Sequence, residues 1–289
     1  MEEIEAILTK YDHDYLARFA AATSEADRMA LAFYEDVAEI LELVSRVKNV
    51  DRNPSGFSID DAPILGLLVR TWKLLKLVVW IYKEDSAEYA AIAERSLIEV
   101  AVTATYLLRS DGSTMEDYRR CSYGNRFKIL EQAGSGAAYY QSKPGRRLLR
   151  SIRAKLAQEC LDENSFEQQV SNRWRLEGKT FRRIFEEVMG QDLYAVAYGT
   201  ASESVHGSWQ DVRSYSLQRG AAGGFNPLYE PFRVNVGNVS LIVPFATLPY
   251  REWAERVELD DPYIGKVLDF IDKLNIGLFE KYGRLLYDF

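Results

Sequence analysis

Along most of this chain apolar residues recur at three- and four-residue steps, the repeat that gives an α-helix one apolar face. Residues 2–22 and 25–48 carry the pattern and are read as a helical hairpin, its second arm opening after Ser24 with Asp27 three residues on, as in a capping box. Asn53-Pro54-Ser55-Gly56 marks a loop, and Asp60, Asp61 and Pro63 suit the start of a helix running to about Lys83. Further helices are expected over 86–108, 115–132, 180–189, 191–206 and 262–286. One more covers the basic run from Gly145 to Cys160, with Leu148, Leu149, Ile152 and Leu156 facing inward. Gly190 and Gly207 stand where two of these helices should stop. From 212 to 248, Gly220, Gly223, Gly224, Pro227, Pro231 and Pro244 interrupt β-branched residues. That stretch is expected to be an irregular excursion with room for a small β-hairpin, any strand lying within 230–245. The fold class is therefore all-α: one large multi-helix bundle over 1–289, with an N-terminal hairpin over 1–50 and the main bundle over 60–289.

At 289 residues and 47% hydrophobic content, the chain can bury a large core as a single domain. Its most apolar stretch, Ile64 to Tyr82, is crossed by Arg70, Lys73 and Lys76 at three-residue steps. A bilayer span rarely tolerates such a cationic flank, so a core helix is expected and no membrane association. The two cysteines, Cys121 and Cys160, have neither disulfide-framework nor zinc-ligand spacing. Together with an acidic, amphipathic N-terminal segment unlike a signal peptide, they suit a cytoplasmic protein with no disulfide-linked partner.

Candidate chemistry centres on DLYAVAYGTASESVHGSW, Asp192 to Trp209, which sets Tyr194, Tyr198, Ser202 and His206 at four-residue steps. On a regular helix these line one face, and half-buried polar groups there require partners. The helix over 86–108 supplies candidates, because Arg95 and Glu99 stand one turn apart among Ile92, Leu97, Ile98 and Val100. They read either as a structural ion pair or as an anion site in which Glu99 orients Arg95 or His206. His206, beside Gly207, is either a general acid or base favoured by the helix C-terminus or a capping residue. Ser202 is a ligand donor or bonds back to its own helix, and Tyr194 and Tyr198 read as core aromatics. His13, flanked by Asp12 and Asp14, suits a solvated surface. Glu99, Glu203 and His206 lack diagnostic metal-ligand spacing, so neither a metal nor another cofactor is expected. The run RGAAGG at Arg219 to Gly224 lacks the ending of a phosphate loop.

The net charge of -7 offers no general attraction to nucleic acid, yet bases gather in the middle of the chain. Lys143, Arg146, Arg147, Arg150, Arg153 and Lys155 form the strongest cluster, followed by Arg173, Arg175, Lys179, Arg182 and Arg183 around Trp174. Such a strip either follows a nucleic-acid backbone or is a solvated face paired with acids elsewhere.

RSLIE at Arg95 to Glu99, the Trp174 and Gly178-Lys179 region, and the run Y-x3-Y-x3-S-x3-H-G from Tyr194 to Gly207 resemble a bacterial helical family known only as a domain of unknown function. The resemblance spans roughly residues 65 to 285. It implies an all-α domain whose signature positions are Arg95, Glu99, Tyr198, Ser202 and His206, and it implies no activity. The layout is more distantly similar to HEPN helical bundles, many of them metal-independent ribonucleases or toxin and phage-defence components that dimerise. Their hallmark is an Arg four to six residues before a His on one helix; here Thr200, Ala201 and Ser202 hold those positions, so Arg95 would have to supply the cation from another helix.

Two functions follow as expectations. In the first, the chain cleaves RNA without a metal: the ribose 2′-hydroxyl attacks, His206 moves the proton, Arg95 stabilises the phosphate charge and Glu99 orients them. Tyr198, Ser202, Arg146, Arg147, Arg150, Trp174 and Lys179 would hold the RNA or nucleotide, and a homodimer is a further expectation. In the second, the chain is a non-catalytic interaction or sensor protein that binds a small anionic ligand or a protein partner.

Overall fold

The computed structural model describes residues 2–11, 14–18, 23–161, 174–221, 223–231, 235–259 and 262–287. His13 and Arg173 lie outside the described residues, and the side chain of Glu203 is likewise not described. The chain gathers into two compact units, residues 1–109 with 185–289, and residues 110–184.

The first unit opens with α1 (Glu2–Leu8), α2 (Tyr15–Arg18) and the long α3 (Thr23–Arg46). Next come α4 (Ala62–Lys83) and α5 (Ala87–Leu108), which pack along each other as the centre of the unit. The inward face of α4 is Ile64, Leu67, Leu68, Thr71, Leu75, Val78, Val79 and Tyr82, the i, i+3, i+4 repeat that periodicity predicts. Arg70, Lys73 and Lys76 fall on its exposed side. Asp61 precedes α4 but makes no capping bond. Only 2% exposed, it instead pairs with Arg256 Nε at 2.9 Å and Arg52 Nη1 at 3.1 Å. No helix among the described residues is long and apolar enough to cross a membrane.

The second unit holds α6 (Gly112–Cys121), α7 (Gly124–Gly134), α8 (Ala138–Gln141) and α9 (Lys143–Gln158). The single helix expected over 115–132 is thus two helices, parted by a turn in which the Tyr123 amide bonds Arg120 O at 3.0 Å. Asp111 starts α6 by accepting from the Ser113 and Thr114 amides at 2.9 and 3.2 Å. Leu130, Ile152 and Leu156 form a small core with Tyr123, Phe127, Ile129, Leu149 and Leu161 around it. Leu148, expected inward, is 37% exposed. The face that includes Gly145, Leu149, Ile152 and Leu156 is the one that packs inward, and Leu148 sits at its edge.

The chain then forms α10 (Phe181–Met189), ended at Gly190 with φ +87°. A π-helical turn follows (Tyr194–Gly199), then α11 (Thr200–Val205), α12 (Trp209–Tyr215) and a hairpin of β1 (Leu217–Arg219) and β2 (Phe225–Pro227). The strands are antiparallel, with Gln218 opposite Asn226. A 3-10 turn (Val236–Asn238) leads to α13 (Val239–Arg256) and α14 (Pro262–Tyr287).

The hairpin lies before the 230–245 window in which strand was expected, and most of that window's described part is helix. Two causes decide this. β-Propensity is worth little against burial, and Val239, Ile242, Val243, Ala246, Tyr250 and Trp253 recur at helical spacing and are all buried. Pro244 also removes the amide that would bond Ser240 O, and the buried Asn275 Nδ2 from α14 bonds that carbonyl instead, at 2.8 Å.

Candidate functional site

Arg95 and Glu99 stand one turn apart on α5, and α11 packs against the same helix. Small residues permit the approach: Ala201 is buried and Gly199 joins the π-helical turn to α11. Arg95 Nε donates to Glu99 Oε1 at 3.2 Å and to Tyr198 Oη at 3.1 Å. The Tyr198 hydroxyl donates in turn to Glu99 Oε1, and the Arg95 guanidinium lies 4.9 Å from the centre of the Tyr198 ring. Arg95 Nη1 is enclosed and has no hydrogen-bond acceptor among the described residues.

Charge in this knot is well defined. Burial, then the hydrogen bond and charge of Glu99, raise the Tyr198 phenol above its ordinary value, so it stays protonated and donates. For Arg95, burial works to lower the value but is outweighed by Tyr198 and Glu99, and the guanidinium holds its proton more firmly than usual. The group is a neutral Arg-Glu pair bridged by a phenol, and its chemistry is that of a clamp.

The π-helical turn explains which motif residues meet α5. One i→i+5 turn shifts the register of everything that follows, so four-residue spacing across it no longer keeps a single face. Tyr194 and Tyr198 remain stacked, 5.2 Å between ring centres, and both pack on the buried Phe185, at 5.4 and 6.5 Å. Ser202 is half-buried. His206 is exposed and ends α11, its amide bonding Ser202 O; its imidazole makes no hydrogen bond to a described residue. The structure thus joins Arg95, Glu99 and Tyr198 and leaves Ser202 and His206 outside their hydrogen-bonded group. Phe185, on which both tyrosines rest, carries no polar signal that would mark it in the sequence.

A second candidate lies within the second unit. Helix α9 reads KPGRRLLRSIRAKLAQ, with six cations and no acid. At about 100° per residue, Lys143, Arg146, Arg147, Arg150 and Arg153 fall within an arc of about 120° opposite the buried face, and Lys155 lies on the other flank. All six are exposed and none forms an ion pair with a described residue. Arg146 bonds the Gln141 carbonyl. Trp174 is 40% exposed, and Lys179 closes a tight turn with Leu176 that is fastened to α6 by Glu177 N to Asp117 Oδ2 at 2.6 Å. The cysteines are free thiols, Cys121 buried and Cys160 exposed. Among the described residues no group of three or more His, Cys, Asp or Glu is arranged to hold a metal ion.

No curated protein and no solved structure matches the chain. A family profile does, over residues 61–223, a span that contains Arg95, Glu99, the whole of α9 and the motif from Tyr194 to Gly207. The chain belongs to the family of unknown function DUF5677.

Proposed function

We propose that this chain binds RNA through α9. The observation that carries the proposal is the stripe of Lys143, Arg146, Arg147, Arg150 and Arg153, exposed, free of ion pairs to described residues and uninterrupted by an acid. Insertion into a membrane surface would need an apolar face free to enter it, and Leu149, Ile152 and Leu156 are committed to the core of their own unit. What remains is attraction to a polyanion by charge, which supplies most of the affinity of proteins for nucleic acid. The test is fluorescence anisotropy of labelled RNA with the wild type and with Arg147→Gln/Arg150→Gln/Arg153→Gln. The variant should bind far more weakly at low salt while keeping its helical circular dichroism; equal binding by both proteins refutes the reading.

Cleavage is a further step of the same proposal. If bound RNA is cut, attack by the 2′-hydroxyl leaves 2′,3′-cyclic phosphate ends, the cut survives chelation, and His206→Ala abolishes it without loss of binding. RNA recovered at full length confines the function to binding.

A second reading, a non-catalytic interaction protein, is favoured by one feature. The motif segment clamped on its inner side by Arg95 and Glu99 exposes Leu193, Val196, Val205 and Trp209 by 41–73%, more apolar surface than a solvated segment of this length needs. Light scattering over a concentration series, with Val196→Asp beside the wild type, tests self-association. A monomer at all concentrations removes the homodimer from this reading.

A further inference from the structure

The corner between α8 and α9 carries an aromatic side chain that the charge stripe does not explain. Tyr139 is 58% exposed, and the backbone beneath it is held from several sides. Its carbonyl accepts from Ser142 Oγ at 2.6 Å and from the Ser142 amide at 3.1 Å. Ser142 in turn caps α9 by accepting from the Gly145 amide at 3.1 Å. Gly145 is required at this corner because a Cβ there would lie 2.3 Å from the Tyr139 carbonyl oxygen and 2.6 Å from Tyr140 Cα. Tyr140 packs edge-on against the Tyr139 ring, centres 5.3 Å apart, and is itself held by a 3.0 Å bond from its hydroxyl to Gln132 Oε1. Arg146 reaches back to the Gln141 carbonyl, which brings a guanidinium to the same corner.

We infer that the RNA bound by α9 is single-stranded and that Tyr139 is the platform on which one of its bases stacks. The inference rests on the RNA-binding reading of α9. Cations alone do not distinguish a single strand from a duplex, whereas an aromatic ring fixed beside them favours an unpaired base, whose π-face is free. A buttressed ring also loses little freedom on binding, which is what a stacking platform needs.

The test is anisotropy with labelled oligouridylate and with an RNA duplex of the same length, using the full chain. Tyr139→Ala should weaken oligouridylate binding about tenfold, within the range of losing one base-aromatic stack. Duplex affinity and the slope of log K against log salt should stay unchanged, because the phosphate contacts remain. Tyr139→Phe should bind as the wild type does. Unaltered oligouridylate binding by Tyr139→Ala, or equal losses on single strand and duplex, overturns the stacking role while RNA binding by α9 stands. A wild type that binds neither RNA overturns both.

Discussion

Removing Glu99 should cost more stability than shortening Arg95 to Lys. Glu99→Ala takes away the acceptor shared by Arg95 Nε and the Tyr198 hydroxyl and leaves a guanidinium whose Nη1 already has no acceptor among the described residues. Breaking a fully buried ion pair from one side costs about 3–5 kcal/mol. Here the Glu99 side chain is 42% exposed and that of Arg95 is 20% exposed, so solvent compensates part of the loss and about 2 kcal/mol is expected. Arg95→Lys keeps a cation near Glu99 and forfeits the Nε bond to Tyr198 and the ring contact, a loss of about 1 kcal/mol. Tyr198→Phe, which keeps the ring on Phe185 and deletes only the bridging hydroxyl, should also cost about 1 kcal/mol. Urea denaturation at constant m reads these differences as shifts in midpoint, and a double-mutant cycle between Glu99→Ala and Tyr198→Phe should show coupling, since each removes the other's partner. Arg95→Lys costing more than Glu99→Ala, or a cycle that closes additively, would refute the clamp.

With five phosphates neutralised by the outward stripe, the slope of log K against log salt for a single strand should be about -3.5, or roughly a 130-fold loss between about 50 and 200 mM salt; removing three arginines should flatten it to about -1.4. Burial, then the charge of Asp117, pushes the Cys121 thiol up to about 12, whereas Cys160 is exposed. Mass spectrometry after brief treatment of folded protein with a thiol reagent near pH 8 should therefore find Cys160 modified and Cys121 intact. Burial raises the Glu94 carboxyl above its ordinary value, although the Tyr82 hydroxyl donating at 2.6 Å works the other way. The folded chain then holds this proton more tightly than the unfolded one, so the contribution to stability is full at low pH and is lost as pH rises through the folded value. Glu94→Gln, which keeps an acceptor for Tyr82, should be more stable than the wild type at neutral pH and should flatten that decline in urea midpoints measured from pH 5 to 9.

Periodicity made α4 and α5 legible, because each buries one continuous apolar face, whereas the stretch read as one helix over 2–22 holds two separate helices, Glu2–Leu8 and Tyr15–Arg18. The pairing of α5 with the motif segment was legible for a related reason: Arg95 and Glu99 are the polar interruptions of an apolar helix, and Tyr198 can satisfy both. Two features were not visible in the pattern. Nothing in YAVAYG announces an i→i+5 turn, and the rings of Tyr194 and Tyr198 in it pack together beside Phe185 from another helix. Nor does VSLIVPFATLP look helical locally, since its β-branched residues and two prolines oppose the helix, and only Asn275 from α14 and a buried environment reverse that preference. In both cases the contacts come from other helices, and local spacing carries no record of them.

An acidic chain with a basic helix poses an electrostatic question that distance resolves. At physiological ionic strength charges beyond about 8 Å are largely screened, so a polyanion in contact with α9 responds to that helix rather than to the net charge of -7. One helical turn advances about 5.4 Å, and Lys143, Arg146, Arg147, Arg150 and Arg153 place at least one cation on each turn of the exposed face, so neighbouring cations reinforce one another within the screening length. The overall negative charge acts chiefly on approach, where it slows association at low salt. Added salt should therefore affect the two rates in a characteristic way: dissociation accelerates as the contacts with α9 weaken, while association falls less steeply than for a uniformly basic protein, because the same ions also screen the long-range repulsion. Stopped-flow binding of labelled RNA across a salt series separates the two. Association that falls with salt as steeply as the equilibrium constant would mean that the field of α9 dominates even at long range, contrary to this account.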